Sequence, residues 1–318
     1  MIAIEQRPVS EIVGDVFEGL TKTPKSLPPR LFYDAAGSAL FEEITRLPEY
    51  YLTRTESGLL QQYSAEIAER VGPNVSVIEL GAGTAAKTGT IIKALSARQL
   101  RVDYYPVDIS SSALQVAVES LNGSYPRVRV HPVATNYVAD SGFLTSVSGR
   151  KLVLYLGSSI GNFEPEEAMD LLRRMRAHMH EGDYLLLGTD LVKDTSVLLP
   201  AYDDAQGVTA RFNKNILGRI NRELGGNFDL DLFRHVALWN PERSRIEMHL
   251  ESTLDQTVKV KLIGLEVLFR QDERIHTENS YKYTVPGVRN TLLQAGFEIE
   301  STWTDSNNWF GTHLARAR

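Results

Sequence analysis

Cysteine is absent from this 318-residue chain. That one gap removes disulfides, thiolate nucleophiles and cysteine-based zinc sites together, and it fits a reducing compartment such as the cytoplasm. Long apolar runs are missing too. No stretch approaches the ~18 residues that a membrane-spanning helix needs, and the opening Met1-Ile-Ala-Ile-Glu-Gln-Arg-Pro8 lacks the apolar core of an export signal. There is no basic block, and 34 Lys and Arg against 40 Asp and Glu leave a net charge of -6. A nucleic-acid backbone is therefore not the expected partner, nor is a membrane. The seven histidines are scattered without ligand spacing apart from His178-x-His180, a solvated helix end, so no metal site is expected. What remains is an ordinary globular composition, 42% hydrophobic without repeats, long enough for one large or two ordinary domains.

The stretch from Val75 to Thr88 organises the rest. Val75, Val77, Ile78 and Leu80 form a buried strand that meets Gly81-Ala-Gly83, and Lys87 opens a helix running to Leu95. A strand, a glycine turn and a helix start let backbone N–H groups approach a ligand closely, because glycine has no Cβ to hold it off. Gly81-x-Gly83-x-x-Ala86 formally passes the dinucleotide fingerprint. Glu79, two residues before the first glycine, resembles instead motif I of the class I S-adenosylmethionine-dependent methyltransferases. Asp108 ends the next strand, where a ribose diol needs an acceptor. That supports an adenosine ligand without choosing between the two cofactors.

Around this stretch the chain alternates in the manner of a parallel sheet. Strands are expected at 75–80, 102–106, 128–133, 151–156 and 184–188, with helices at 85–95, 111–121 and 165–180. A short amphipathic helix is expected at 10–20, and a helix at 55–70 with Thr55 as its N-cap. The tyrosines and phenylalanines from Phe32 to Tyr51 read equally as core or as a lid over a small organic ligand. Asn162, in Leu156-Gly-Ser-Ser-Ile-Gly-Asn162, is either a turn residue or a substrate clamp. After Asp194 the alternation stops. A helix at 205–224 and strands at 233–239, 245–252 and 257–269 make an inserted α+β module, and a helix at 288–295 and a closing hairpin, 297–303 with 309–315, return to the main sheet. The residue types of Thr277-Glu-Asn-Ser280 taken alone suggest an exposed strand edge.

The combination of Lys25-Ser-Leu-Pro-Pro29, Phe32-Tyr-Asp34, Leu47-Pro-Glu-Tyr-Tyr51, Thr53-Arg-Thr-Glu56, Glu79-Leu-Gly-Ala-Gly-Thr84, Leu156 to Asn162, Gly188-Thr-Asp-Leu-Val-Lys-Asp194 and Ala201-Tyr-Asp-Asp204 resembles the histidine-specific α-N-methyltransferases of ergothioneine biosynthesis. The resemblance runs from about residue 20 to the end. It implies an α/β fold, a Rossmann-like class I methyltransferase core (56–193 and 286–318) with a substrate-binding domain (1–55 and 194–285). It implies S-adenosylmethionine as cofactor and L-histidine, with its mono- and dimethyl forms, as substrate, trimethylated to hercynine by a monomeric cytoplasmic enzyme. Matched by motif, Gly81, Gly83, Lys87 and Asp108 hold the cofactor, and Gly157 and Ser159 line its floor. Asn162 and Tyr202 hold the α-amine and carboxylate, with Tyr33 and Phe41 near the amine. Glu278 and Ser280 read the imidazole, with Tyr50 nearby and Met248 alongside. One departure concerns the adenine: the family carries Asp-Phe where this chain has Asn136-Tyr137, so the amide oxygen and the phenol ring are expected to serve.

Overall fold

The computed structural model describes residues 9–83, 87–109, 111–122, 125 and 127–318. Two compact units emerge among the described residues, the larger from Leu52–Val192 and Lys282–Arg318, the smaller from residues 9–51 and Lys193–Tyr281. Ala86, the third small residue of the fingerprint, and the start of the helix expected from 85 lie outside the described residues.

The larger unit is built on strands β1 (Val75–Leu80), β2 (Val102–Asp108), β3 (Val128–Val130), β4 (Arg150–Tyr155), β5 (Tyr184–Asp190), β6 (Phe297–Thr304) and β7 (Phe310–Ala317). They lie in the order β6-β7-β5-β4-β1-β2-β3, with Val133–Ala134 pairing β2 as a short extra strand. The first five are parallel, and β7 runs antiparallel to both of its neighbours. Every residue of β1 and β5 is buried, as parallel strands covered on both faces require. On one face Val75, Val77, Leu152 and Leu186 meet Leu59, Leu60 and Ile67 of the helix Tyr51–Val71 and Ile91, Ile92 and Leu95 of the helix Thr88–Ser96. On the other, Ile78, Leu80, Val153 and Leu185 lie under the helices Pro165–Ala177 and Val285–Gln294. The strand order reverses between β1 and β4. In open α/β sheets that reversal marks the carboxyl ends of the two strands as the place where ligands bind. This is the α/β class I methyltransferase arrangement that the sequence led us to expect.

In the larger unit two expectations are corrected. The strand expected over 128–133 is broken into Val128–Val130 and Val133–Ala134, because Pro132 has no N–H to give to a ladder. Thr55 does not cap its helix but lies inside Tyr51–Val71. Buried Leu52, on the same stripe as Leu59, carries the apolar face back past it.

In the smaller unit a sheet runs in the order Lys25–Ser26, Arg274–Tyr281, Arg245–Ser252, Phe233–Asn240. The helix Val208–Leu224 lies against it, bounded by Gly207 and Gly225 in left-handed conformation at φ 68° and 65°. The Asn213 amide ties helix to sheet, donating to the His249 carbonyl at 3.0 Å and to Nδ1 of His235 at 2.8 Å. The single strand expected over 257–269 is instead a hairpin of Gln256–Val260 and Leu265–Phe269, turned at Gly264 with φ 60°. The buried positions change parity, from Val258 and Val260 to Val267 and Phe269, and a change of parity within an alternating run is the mark of a turn.

At the amino ends of β4 and β5, Asp183 accepts from the N–H groups of Lys151 and His180, each at 2.8 Å, and from the Lys151 ammonium at 3.3 Å. Both side chains are buried, so removing one partner strands the other's charge, at roughly 3–5 kcal/mol. Asp183→Ala is expected to lose about that much unfolding free energy in urea titration. A midpoint equal to wild type would show that the pair carries no such weight.

Candidate active site

The turn after β1 is tight because the N–H groups of Gly81 and Ala82 both reach back to the Val107 carbonyl of β2, at 2.8 and 3.3 Å. Gly81 and Gly83 take φ 67° and 48°, where a side chain is disfavoured. A Cβ on Gly83 would meet no atom within 4 Å, and one on Gly81 would come 3.5 Å from the Tyr137 hydroxyl. Bare backbone with a phenol over it, and Asp108 ending the adjacent strand β2, is a set that fits an adenosyl group. Burial pushes the Tyr137 phenol up to about 12, and its ring meets Tyr155 edge-on at 6.0 Å. Asn136 is exposed, and its Oδ1 accepts from the Val138 N–H at 3.2 Å, bracing the turn that carries Tyr137.

The turn after β4 is built on two left-handed residues, Gly157 at φ 76° and Ser158 at φ 57°. The buried Ser158 hydroxyl accepts from the Asp190 N–H at 2.8 Å, which ties this turn to the end of β5. Asp190 itself pairs with Lys282 at 2.8 Å, both wholly buried. Ser159 donates to the Leu156 carbonyl at 3.0 Å. Asn162 ends the 3-10 helix Ser159–Asn162, whose Ile160 carbonyl accepts from the Tyr283 hydroxyl at 3.3 Å. One residue of this region was not foreseen. Glu56 has no exposure; both its oxygens lie 2.9 Å from the Gly157 N–H, and it forms an ion pair with Lys87. The signal was present in the sequence: a lone carboxylate on the apolar stripe of its helix, four residues after Leu52 and three before Leu59.

Glu79 projects from β1 into the same charge cluster. Burial lifts its carboxyl to about 7. The Thr88 and Tyr104 hydroxyls and the Lys87 ammonium favour the ionised form, and the Glu56 charge opposes it.

In the smaller unit, Glu278 stands opposite Met248 and Ser280 opposite Ile246 across the antiparallel pair, so Glu278, Ser280 and Met248 share one face of the sheet. These are not exposed edge positions, since Glu278 and Ser280 are 8% and 5% exposed. The Ser280 and Tyr202 hydroxyls lie 2.7 Å apart, buried. His235 sets the Tyr202 backbone. Its Nδ1 accepts from Asn213, which leaves Nε2–H to donate to the Tyr202 carbonyl at 2.8 Å, and burial pulls its pKa down so that it stays neutral. The aromatic segment converges on Phe212, which sequence reasoning missed because it looked like any apolar helix position. Its ring lies 4.6 Å from Phe32, 5.9 Å from Tyr33 and 6.0 Å from Phe41. Phe41 continues to Tyr50 at 6.3 Å and Tyr50 to Tyr202 at 6.4 Å. Phe32 and Phe212 are core, whereas Tyr33 is 43% exposed.

Comparison with known proteins follows the same lines. A profile of the family described as histidine-specific methyltransferase, SAM-dependent, matches residues 12–317. The chain is 45% identical over 301 residues to the histidine N-alpha-methyltransferase of Mycolicibacterium smegmatis, covering 95% of this chain and 93% of that one. With the enzyme of the same name from Mycobacterium tuberculosis it shares 44% identity over 303 residues, 95% and 93% of the two chains. Ergothioneine biosynthesis protein 1 of Neurospora crassa is 31% identical over 297 residues, taking in 92% of this chain and 33% of the fungal protein.

The raised carboxyl of Glu79 has a sign that can be measured. Below pH 4.5 it is protonated whether the chain is folded or not; between 4.5 and about 7 only the unfolded chain ionises it, so folding stability falls as pH rises through that window. The full effect is on the order of 3 kcal/mol. His249 and His313, both depressed by burial to about 4, slope the other way from pH 6.5 downward, so the difference between wild type and Glu79→Gln is the quantity to follow. Wild type is expected to lose stability relative to Glu79→Gln between pH 5 and 7; parallel curves would contradict this.

Proposed function

This chain belongs to the histidine-specific, S-adenosylmethionine-dependent methyltransferases, and we infer that it methylates the α-amino nitrogen of L-histidine three times, giving the betaine hercynine, a step of ergothioneine biosynthesis. The cofactor supplies a methyl group on a sulfonium. In each round the amine lone pair forms the N–C bond as the C–S bond breaks and its electron pair stays on sulfur. The first two products each give up a proton before the next round, and the third has none to lose.

Such a displacement moves charge rather than creating it, so the residues have to hold and orient more than to react. We assign Gly81, Gly83, Lys87, Asp108, Asn136, Tyr137, Gly157 and Ser159 to the cofactor. Asn162 and Tyr202 hold the amino acid's amine and carboxylate, with Tyr33 and Phe41 next to the amine. No carboxylate is assigned there, which favours the neutral amine that can attack. Glu278 accepts from one ring nitrogen and Ser280 bonds the other, beside Tyr50 and Met248. What supports this last assignment is a carboxylate and a hydroxyl two residues apart, both buried on one sheet face where apolar side chains are the rule. Such a pair suits an imidazole, whose two ring nitrogens can answer a carboxylate and a hydroxyl, whereas a benzyl ring offers no nitrogen and an indole only one, a difference worth roughly 10⁴-fold in favourable cases. A monomeric, cytoplasmic enzyme acting on the free amino acid belongs to the same reading.

Purified protein incubated with S-adenosylmethionine and the twenty amino acids is expected to add up to three methyl groups, by mass spectrometry, to histidine alone. A different methylated amino acid would replace the substrate named here. Glu278→Ala and Ser280→Ala should each lower kcat/KM for histidine by roughly 10²-fold or more. Tyr33→Phe and Asn162→Ala are expected to change the ratio of mono-, di- and trimethyl products. Unaltered ratios and rates would remove those two residues from the amine.

A further inference from the structure

Glu56 is a charge in a place that disfavours charge. Its side chain is wholly buried on the apolar stripe of the helix Tyr51–Val71, and a buried carboxylate is tolerable only where its partners are fixed. Those partners are the Gly157 N–H, 2.9 Å from each oxygen, and the Lys87 ammonium. A third element makes room for it. A Cβ on Gly188 would lie 2.0 Å from Oε1, so β5 has to be bare at that point. Lys87 Nζ, in turn, lies 3.7 Å from where a Cβ on Gly157 would stand. One carboxylate therefore joins the residue that opens the helix after the Gly81-Ala-Gly83 turn, the turn after β4, and β5.

We propose that Glu56 is a positioning residue of the cofactor site, holding the Gly157 amide and the Lys87 ammonium in place before S-adenosylmethionine binds. This rests on the reading of the larger unit as the cofactor's binding unit. A lysine on its four-carbon stem samples many rotamers, and the left-handed pair Gly157-Ser158 needs support from outside itself. Ser158 has that support from Asp190 and Gly157 has it from Glu56. Ordering done during folding does not have to be done at binding, so the preorganised site binds more tightly than one that must assemble.

The test is calorimetric titration of S-adenosylhomocysteine into the full chain, which needs no turnover. In Glu56→Gln one oxygen becomes an amide donor facing two other donors. In Glu56→Asp the charge stays but falls short by a methylene. Both variants are expected to bind roughly 10- to 100-fold more weakly while circular dichroism reports a folded chain. On a Lys87→Met background, Glu56→Gln should add no more than about threefold, because the two residues act as one unit. The pH profile supplies a readout that a merely structural role would not move. Glu79 faces Tyr104, Thr88, Lys87 and Glu56, and without the Glu56 charge the lysine serves Glu79 alone, so the midpoint of the Glu79 titration, read from the pH dependence of folding stability, should move down in Glu56→Gln. Binding within about threefold of wild type in either folded variant, losses additive with Lys87→Met, an unmoved midpoint, or failure of both variants to fold would each overturn the proposal. Wild-type protein that does not bind S-adenosylhomocysteine would overturn the cofactor reading itself.

Discussion

The central strands of the larger unit are closed to water on both faces, and that constraint decides where its chemistry can be. With Val75 and Val77 under one layer of helices and Ile78 and Leu80 under the other, β1 has no face left for a ligand. Polar function is pushed to strand ends, and the crossing of the chain from β3 back to β4 leaves the carboxyl ends of β1 and β4 side by side as the usable edge. Everything polar in that region follows from the same constraint. Positive-φ glycines bring backbone to the surface where side chains would block it, and charges brought so close to the core are paired, Lys87 with Glu56 and Lys282 with Asp190.

The smaller unit solves a different problem, keeping buried polar side chains in one orientation on a half-apolar sheet. Ser280 and Tyr202 satisfy each other, and the Tyr202 backbone is held by a histidine whose own tautomer is set by Asn213. The chain of donors runs in one direction, from amide to imidazole to carbonyl, so changing Asn213 disturbs Tyr202 without touching it. The bulge at Thr277 matters for the same reason. It shifts register just before Glu278, and the Thr277 hydroxyl donates to the Met248 carbonyl at 3.0 Å, so that Glu278 and Ser280 fall on the face with Met248.

Much of this was legible in the sequence, and the physical reason is uniform. Buried parallel strands are continuous apolar runs, and glycine turns have few substitutes, so β1, β2, β4, β5 and the Gly81 and Gly157 turns could be read directly. Where two signals overlapped, reading failed. Pro132 cut an apolar run that looked continuous, the hairpin at Gly264 hid in an alternating pattern, and the start of the helix Tyr51–Val71 was masked by a threonine that looked like a cap. The site was legible unevenly. The roles proposed for Gly81 and Asp108 rest on spacing, whereas those proposed for Glu278 and Ser280 come only through family resemblance, because nothing in Thr277-Glu-Asn-Ser280 announces that the segment is buried.

Glu56 and Phe212 show a further limit. Each is a single residue whose meaning lies in partners far away in sequence, Gly157 for the first and Phe32, Tyr33 and Phe41 for the second. A periodic pattern assigns Phe212 to the core correctly and says nothing of which rings it will gather. It flags Glu56 as an exception, and exceptions on a buried stripe are informative, because a carboxylate survives there only if something distant holds it. The residues proposed for the cofactor and those proposed for the ring are then separable in kind. On that proposal the first combine glycine backbone, a paired lysine and a few side chains at strand ends; the second are a few polar side chains on an apolar face, where one substitution would change which ring can be satisfied. With the roles proposed, selectivity for the amino acid rests on fewer residues than cofactor binding does, and is the part of this chain most open to change by single substitutions.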